Sequence, residues 1–190
     1  MINSTILDLT KIQTTYATCV KFTDRQARLE TQLIKFNLNF KKYEGQITET
    51  QWVGSCQNHK DILEDNMNTE SFLVLEDDVV LSENFQTTIS YPSGTDAIYL
   101  GKSLLFLKES NYNREYTKLQ FSFGLHGILY LSSQFREHML SCFTQSLNNC
   151  VICDRLTGDS LKNFKVLSPR KCWLYQDNVN NVHNKLATQY

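Results

Sequence analysis

Ser71-Phe72-Leu73-Val74-Leu75-Glu76-Asp77-Asp78-Val79-Val80-Leu81 is the stretch on which the reading of this chain turns. Apolar residues run from Phe72 to Leu75 and resume from Val79 to Leu81, the pattern of a buried, parallel-type strand interrupted by three acids. Ionised carboxylates are costly to desolvate unless paired or metal-bound, so the triplet points to a divalent cation held by oxygen ligands. In open α/β sheets such strand ends are also where ligands bind. A polar strand terminus leading into a turn is the plainer alternative.

The 190 residues around this stretch suffice for one domain with a substantial core and are few for two. Hydrophobic residues make up 41% and charged residues 21%, a globular composition, and no repeat or low-complexity segment is present. A formal net charge of -1 gives no reason to expect nucleic acid as partner. No window approaches the roughly 18 consecutive apolar residues of a membrane span, and Met1 to Val20 lacks the layout of a secretory leader. A soluble, cytoplasmic protein without a transmembrane segment is therefore expected. Six cysteines in a domain of this size are expected to be reduced. Cys150 and Cys153 form a single CxxC without a second pair, read as two thiols near an element end rather than as a zinc or redox motif.

Upstream of the acids, Thr15 to Phe22 has the β-branched and aromatic content of a strand, and Thr23 or Asp24 caps a helix through Ala27, Leu29, Leu33 and Ile34. Arg25 and Arg28, one turn apart just past that strand end, suit phosphate or a solvated face. Asn37 to Tyr43 alternates as a short strand closed by Gly45, and the run from Gly54 to Asp65 reads as a helix carrying His59. Downstream, Ser82 is expected to cap a helix with Phe85 and Ile89 on one face. Asp96 to Gly101 is a strand ending in a glycine that lets backbone approach a ligand closely, and Lys108 to Lys118 reads as a mobile loop. Gly124 and Gly127 flank His126 where the chain crowds something, Ile128 to Leu131 is a clear strand, and Ser132 or Ser133 caps a helix through Phe135, Met139 and Phe143. Phe164 to Leu167 and Cys172 to Tyr175 are the last apolar stretches. The whole is read as one domain, 1–190, with 1–14 as a lead-in and 176–190 as a tail that closes over a bound donor.

Taken in order, these features resemble the glycosyltransferase family 25 type, which includes lipopolysaccharide-biosynthesis glycosyltransferases and collagen galactosyltransferases. The matching segments are Val20 to Arg28, Gly54 to His59, Leu73 to Val79, Ile98 to Gly101, Phe123 to Ser132, and Cys153-Asp154 through Pro169 to Gln176-Asp177. The acidic motif is the specific part. Asn58 stands where the family usually has serine, and Gly127 where alanine is common. Small viral and bacterial GT-A domains are an equally good comparison.

The resemblance implies an α/β, GT-A (Rossmann-like) domain with a central mixed, mainly parallel sheet flanked by helices. It further implies metal-dependent transfer of a sugar, with inversion, from a nucleotide-sugar such as a UDP-sugar to the hydroxyl of a glycan or glycoprotein acceptor. Asp78 and Glu76 would then hold Mn²⁺ or Mg²⁺, with His183 completing the shell. Thr23, Arg25, Arg28, Asp77 and Gly101 would hold the nucleotide-sugar. Asp154 is the first choice for the base and His126 the second. A nucleotidyltransferase or phosphohydrolase using the same acids, or an inactive nucleotide-sugar-binding domain, are the alternatives.

Overall fold

The computed structural model describes residues 3–18, 23–46, 48–103 and 106–176. At its centre is β4 (Phe72–Glu76), where the apolar run becomes a strand with four of its five residues buried. β2 (Gln13–Ala17) lies parallel to β4, and β3 (Phe40–Tyr43) lies parallel to β2 at the sheet edge. On the other side follow β10 (Gly127–Tyr130), β7 (Ala97–Tyr99), β11 (Val166–Pro169), β9 (Tyr116–Phe121) and β8 (Lys108–Asn111). The eight-stranded sheet is mixed: β10 and β9 run against the other six strands. Two short ribbons lie outside it, β1 (Ser4–Asp8) with β6 (Thr88–Pro92), and β5 (Val79–Leu81) with β12 (Leu174–Gln176).

Side chains alternate across a strand, and that period sorts the core into two layers. Leu73 and Leu75 of β4, with Leu129, Ile98 and Leu167, pack under α1 (Thr23–Lys35) and the two ribbons. Phe72 and Val74, with Ile128, Tyr130, Tyr99 and Val166, pack under α2 (Gln51–Asp65), α3 (Ser133–Asn149) and α4 (Cys153–Ser160). α1 turns Leu29 and Leu33 inward as its spacing predicts, while Ala27 and Ile34 face solvent. α3 begins where expected, because the Ser132 hydroxyl accepts the Phe135 N–H at 3.2 Å. Among the described residues no helix is long and apolar enough to cross a membrane.

Four expectations are corrected. The first strand of the main sheet runs over Gln13–Ala17, starting before Thr15, and residues 19–22 of the expected Thr15 to Phe22 lie outside the described residues. Val79 to Leu81 does not continue β4: Asp77 and Asp78 form a turn after Glu76, and β5 leaves the main sheet to pair with β12. Ser82 caps no helix; its hydroxyl accepts the Asn84 N–H at 3.1 Å within a turn, and Thr88 to Pro92 forms strand β6. Phe85 and Ile89 share helical spacing, but strand alternation wins, with Ile89 and Tyr91 buried between exposed Thr88 and Ser90 against β1. Lys108 to Lys118 is the β8–β9 hairpin rather than a loop, with an irregularity between Lys108 and Glu109. Its polar residues sit on a half-exposed edge, where no apolar periodicity is required.

Candidate active site

The end of β4 serves two compartments. Glu76 continues the parity of Phe72 and Val74, toward α2. There it accepts a hydrogen bond from the Ser55 hydroxyl at 3.0 Å and lies 3.4 Å from His59 Nε2. Ser55 and His59 are four residues apart on α2 and so share a face. The His59 ring is buried and stacks on Phe143 of α3 at 5.6 Å. Burial alone would raise the Glu76 carboxyl, but the His59 hydrogen bond and charge, the His126 charge and the Ser55 hydroxyl outweigh it and hold Glu76 below the usual carboxylate range.

Asp78 turns the other way. It lines a cavity of about 580 Å³ with Arg25, Arg28, Thr31 and Gln32 of α1, with Asp77, and with Tyr175 of β12. Arg25 Nη1 approaches Asp78 Oδ2 at 4.0 Å, and the Asp78 side chain is 14% exposed. Desolvation, reinforced by the charges of Glu76 and Asp77 and only partly offset by Arg25, pushes the Asp78 carboxyl up to about 7. Its Oδ1 is buried with no hydrogen-bond partner among the described residues. Buried polar atoms are normally satisfied, so this oxygen marks a place for an absent partner. An oxygen-only donor set beside two guanidinium groups suits a hard divalent cation shared with phosphate oxygens. Among the described residues no group of three His, Cys, Asp or Glu side chains forms a metal cage by itself.

The second compartment holds Asp154, His126 and Gly101. Asp154 sits in the first turn of α4, and its Oδ2 accepts the Gly124 N–H at 3.3 Å. Burial and the charge of Glu76 raise its carboxyl, against the lowering effect of that N–H and of His59. His126 is buried and its carbonyl accepts the Glu76 N–H. Burial lowers its imidazole, with the Glu76 charge opposing. A Cβ on Gly101 would stand 2.7 Å from His126 Cδ2 and Nε2 and 2.8 Å from the Leu174 carbonyl oxygen. This glycine is thus crowded by the protein itself. Gly101→Ala is expected to cost about 1–3 kcal/mol by forcing the ring or β12 aside, measured as a drop in urea midpoint; an unchanged midpoint would contradict the packing.

The structure therefore brings Arg25, Arg28, Asp77 and Asp78 together, and separately Gly101, His126 and Asp154, with Glu76 between them acting electrostatically on both Asp78 and Asp154. β12 joins the two, since Trp173 and Leu174 donate to the Leu100 carbonyl while Tyr175 reaches the cavity. His183 and the side chain of Thr23 lie outside the described residues. Sequence reasoning set Ser55, His59 and the Gly124 N–H aside; the four-residue spacing of Ser55 and His59 was the available signal. Asn58 is buried, its amide donates to the Thr18 carbonyl at 3.2 Å, and its oxygen accepts the Gln46 N–H at 3.1 Å, fixing the chain after β2 and β3. Cys153 is buried with its thiol 3.8 Å from Asp154 Oδ1, whereas Cys150 is exposed, so the CxxC does not converge.

No protein-family model matches the chain, and no curated protein matches it in sequence. Solved structures do match. A nucleoside-diphosphate-sugar pyrophosphorylase from Vibrio cholerae RC9 superposes with a TM-score of 0.50 at 11% identity, over 95% of this chain and 82% of that one. The CTP:phosphocholine cytidylyltransferase of Streptococcus pneumoniae gives 0.48 at 13% identity, over 94% and 78%. A glycosyltransferase involved in glycosylation of the major capsid of PBCV-1 gives 0.41 at 9% identity, over 72% and 74%. At such identities the fold alone is what is shared, and the chain's mixed sheet flanked by helices is similar to that of the Vibrio cholerae pyrophosphorylase.

Proposed function

We propose that the chain is a metal-dependent glycosyltransferase of the family 25 type, moving a sugar with inversion from a UDP-sugar to a hydroxyl of a glycan or glycoprotein. The observation that carries this reading is Asp78, a residue with an elevated carboxyl and an orphaned, buried Oδ1 that lines one cavity with Asp77, Arg25 and Arg28. Asp78 would hold Mn²⁺ or Mg²⁺, with Asp77 on the ribose or sugar and Glu76 acting through water, since its own oxygen is engaged by Ser55 and His59. Such an ion neutralises charge developing on the departing diphosphate. Arg25 and Arg28 bind phosphate oxygens, and their guanidinium forks fix the diphosphate's orientation.

Asp154 takes the acceptor's proton as its oxygen attacks the anomeric carbon and the carbon–phosphate-oxygen bond breaks. The Gly124 N–H fixes one carboxylate oxygen, and the Glu76 charge makes the other a stronger base than a solvated aspartate. His126 packs behind Gly101 and Gly124, limiting the room in which that carboxylate can turn.

UDP release from a panel of UDP- and GDP-sugars with Mn²⁺ tests the reading. Sugar-dependent release is the expected result. Pyrophosphate formed from a nucleoside triphosphate and a sugar phosphate would establish nucleotidyl transfer instead, and nucleotide-sugar binding without turnover would establish a binding domain.

A further inference from the structure

Phe106 exposes 68% of its surface and adopts a left-handed backbone, φ 56°, which is unfavourable for a bulky side chain. Neither feature helps the fold. Its ring meets Phe123 edge to face at 5.7 Å, and Phe123 meets Phe121 in the same manner at 5.0 Å. Phe121 in turn packs against Gly158 of α4, where a Cβ would come within 3.1 Å of the ring. The three rings thus form a ladder from solvent to the helix that carries Asp154. Next to the middle ring, Gly124 donates its N–H to the Asp154 carboxylate.

We propose that Phe106 and Phe123 form a platform on which the acceptor's sugar ring stacks, presenting a hydroxyl to Asp154. The inference rests on Asp154 acting as the base of glycosyl transfer. Polarised C–H bonds on one face of a pyranose match the negative face of an aromatic ring, while its hydroxyls stay free at the edge. Lys102, at the start of the loop, is paired with Glu109 at 2.6 Å, and Glu109 also accepts the Thr117 hydroxyl at 2.8 Å. The aromatic faces themselves suit a neutral saccharide. A quaternary ammonium group also stacks on aromatic faces and is the competing ligand chemistry.

Saturation-transfer NMR tests this with methyl β-galactopyranoside, methyl β-glucopyranoside and methyl α-mannopyranoside, with choline as counter-probe, in the presence and absence of UDP and Mn²⁺. Wild-type protein is expected to saturate the ring protons of at least one glycoside. Phe106→Ala should reduce that signal at least fivefold, and Phe106→Trp should retain it. Phe106→Gly, which removes the ring and relieves the backbone, should lose the signal while melting at or above the wild-type temperature. Transfer to no glycoside, an unchanged signal in Phe106→Ala, or a response confined to choline would overturn the platform. Glycoside binding without UDP binding would sink the donor-site reading and leave the platform standing; UDP binding without glycoside binding would do the reverse.

Discussion

Replacing Asp78 with asparagine is expected to stabilise the protein at pH 8 while removing cation-dependent UDP binding. An unfolded aspartate titrates near 3.8, whereas folded Asp78 titrates at about 7. Between those values the unfolded chain gives up its proton and the folded one keeps it. The contribution of Asp78 to stability therefore falls as pH rises from about 4 to about 7 and stays low above. Converted at 1.36 kcal/mol per unit, the difference is about 4 kcal/mol, with little solvent screening at so buried a position. An asparagine carries no charge, so the stability of Asp78→Asn should lack this slope. Urea midpoints at pH 5 and pH 8 for both proteins measure the effect, and calorimetric titration with UDP and Mn²⁺ measures the binding. Parallel pH dependences would show that Asp78 ionises without penalty, and undiminished titration would remove it from the cation site.

The second large effect concerns turnover. Asp154→Asn should lower it by about 10²- to 10⁴-fold and leave UDP affinity within about twofold, since a base acts in the transition state and the nucleotide contacts are elsewhere. The pH profile adds a signature that a packing defect would not produce. Because burial and Glu76 raise the Asp154 carboxyl, its ionised, proton-accepting form increases at higher pH than that of a solvated aspartate, and activity should climb with it. Residual activity of the Asp154→Asn protein should not show that climb. Turnover within about threefold of wild type would move the base to another residue, His126 first.

The residues that carry local signals were legible in the sequence. The serine cap at Ser132, the inward spacing of Leu29 and Leu33, and the apolar run of β4 ending in acids all depend on neighbours within a turn or a strand. What was not legible depends on distant partners. Thr88 to Pro92 is a strand because Ser4 to Asp8 pairs with it, and Val79 to Leu81 leaves the sheet because Leu174 to Gln176 claims it. The site divides in the same way. The three acids announce themselves, but no sequence pattern says that Glu76 is held by Ser55 and His59 while Asp78 faces Arg25.

The eight-stranded sheet ends on two short strands, Phe40–Tyr43 and Lys108–Asn111. Each places charge on the sheet's open flank: Lys41 and Lys42 on one, Lys108 and Glu109 beside an irregularity in the ladder on the other. An outer strand with free backbone groups is a template on which another chain can add, and lysines, brevity and a broken register are what discourage it. Neither flank is built to recruit a further strand. Aggregation through edge pairing is thus disfavoured by the same polar residues that made the hairpin hard to recognise as a pair of strands.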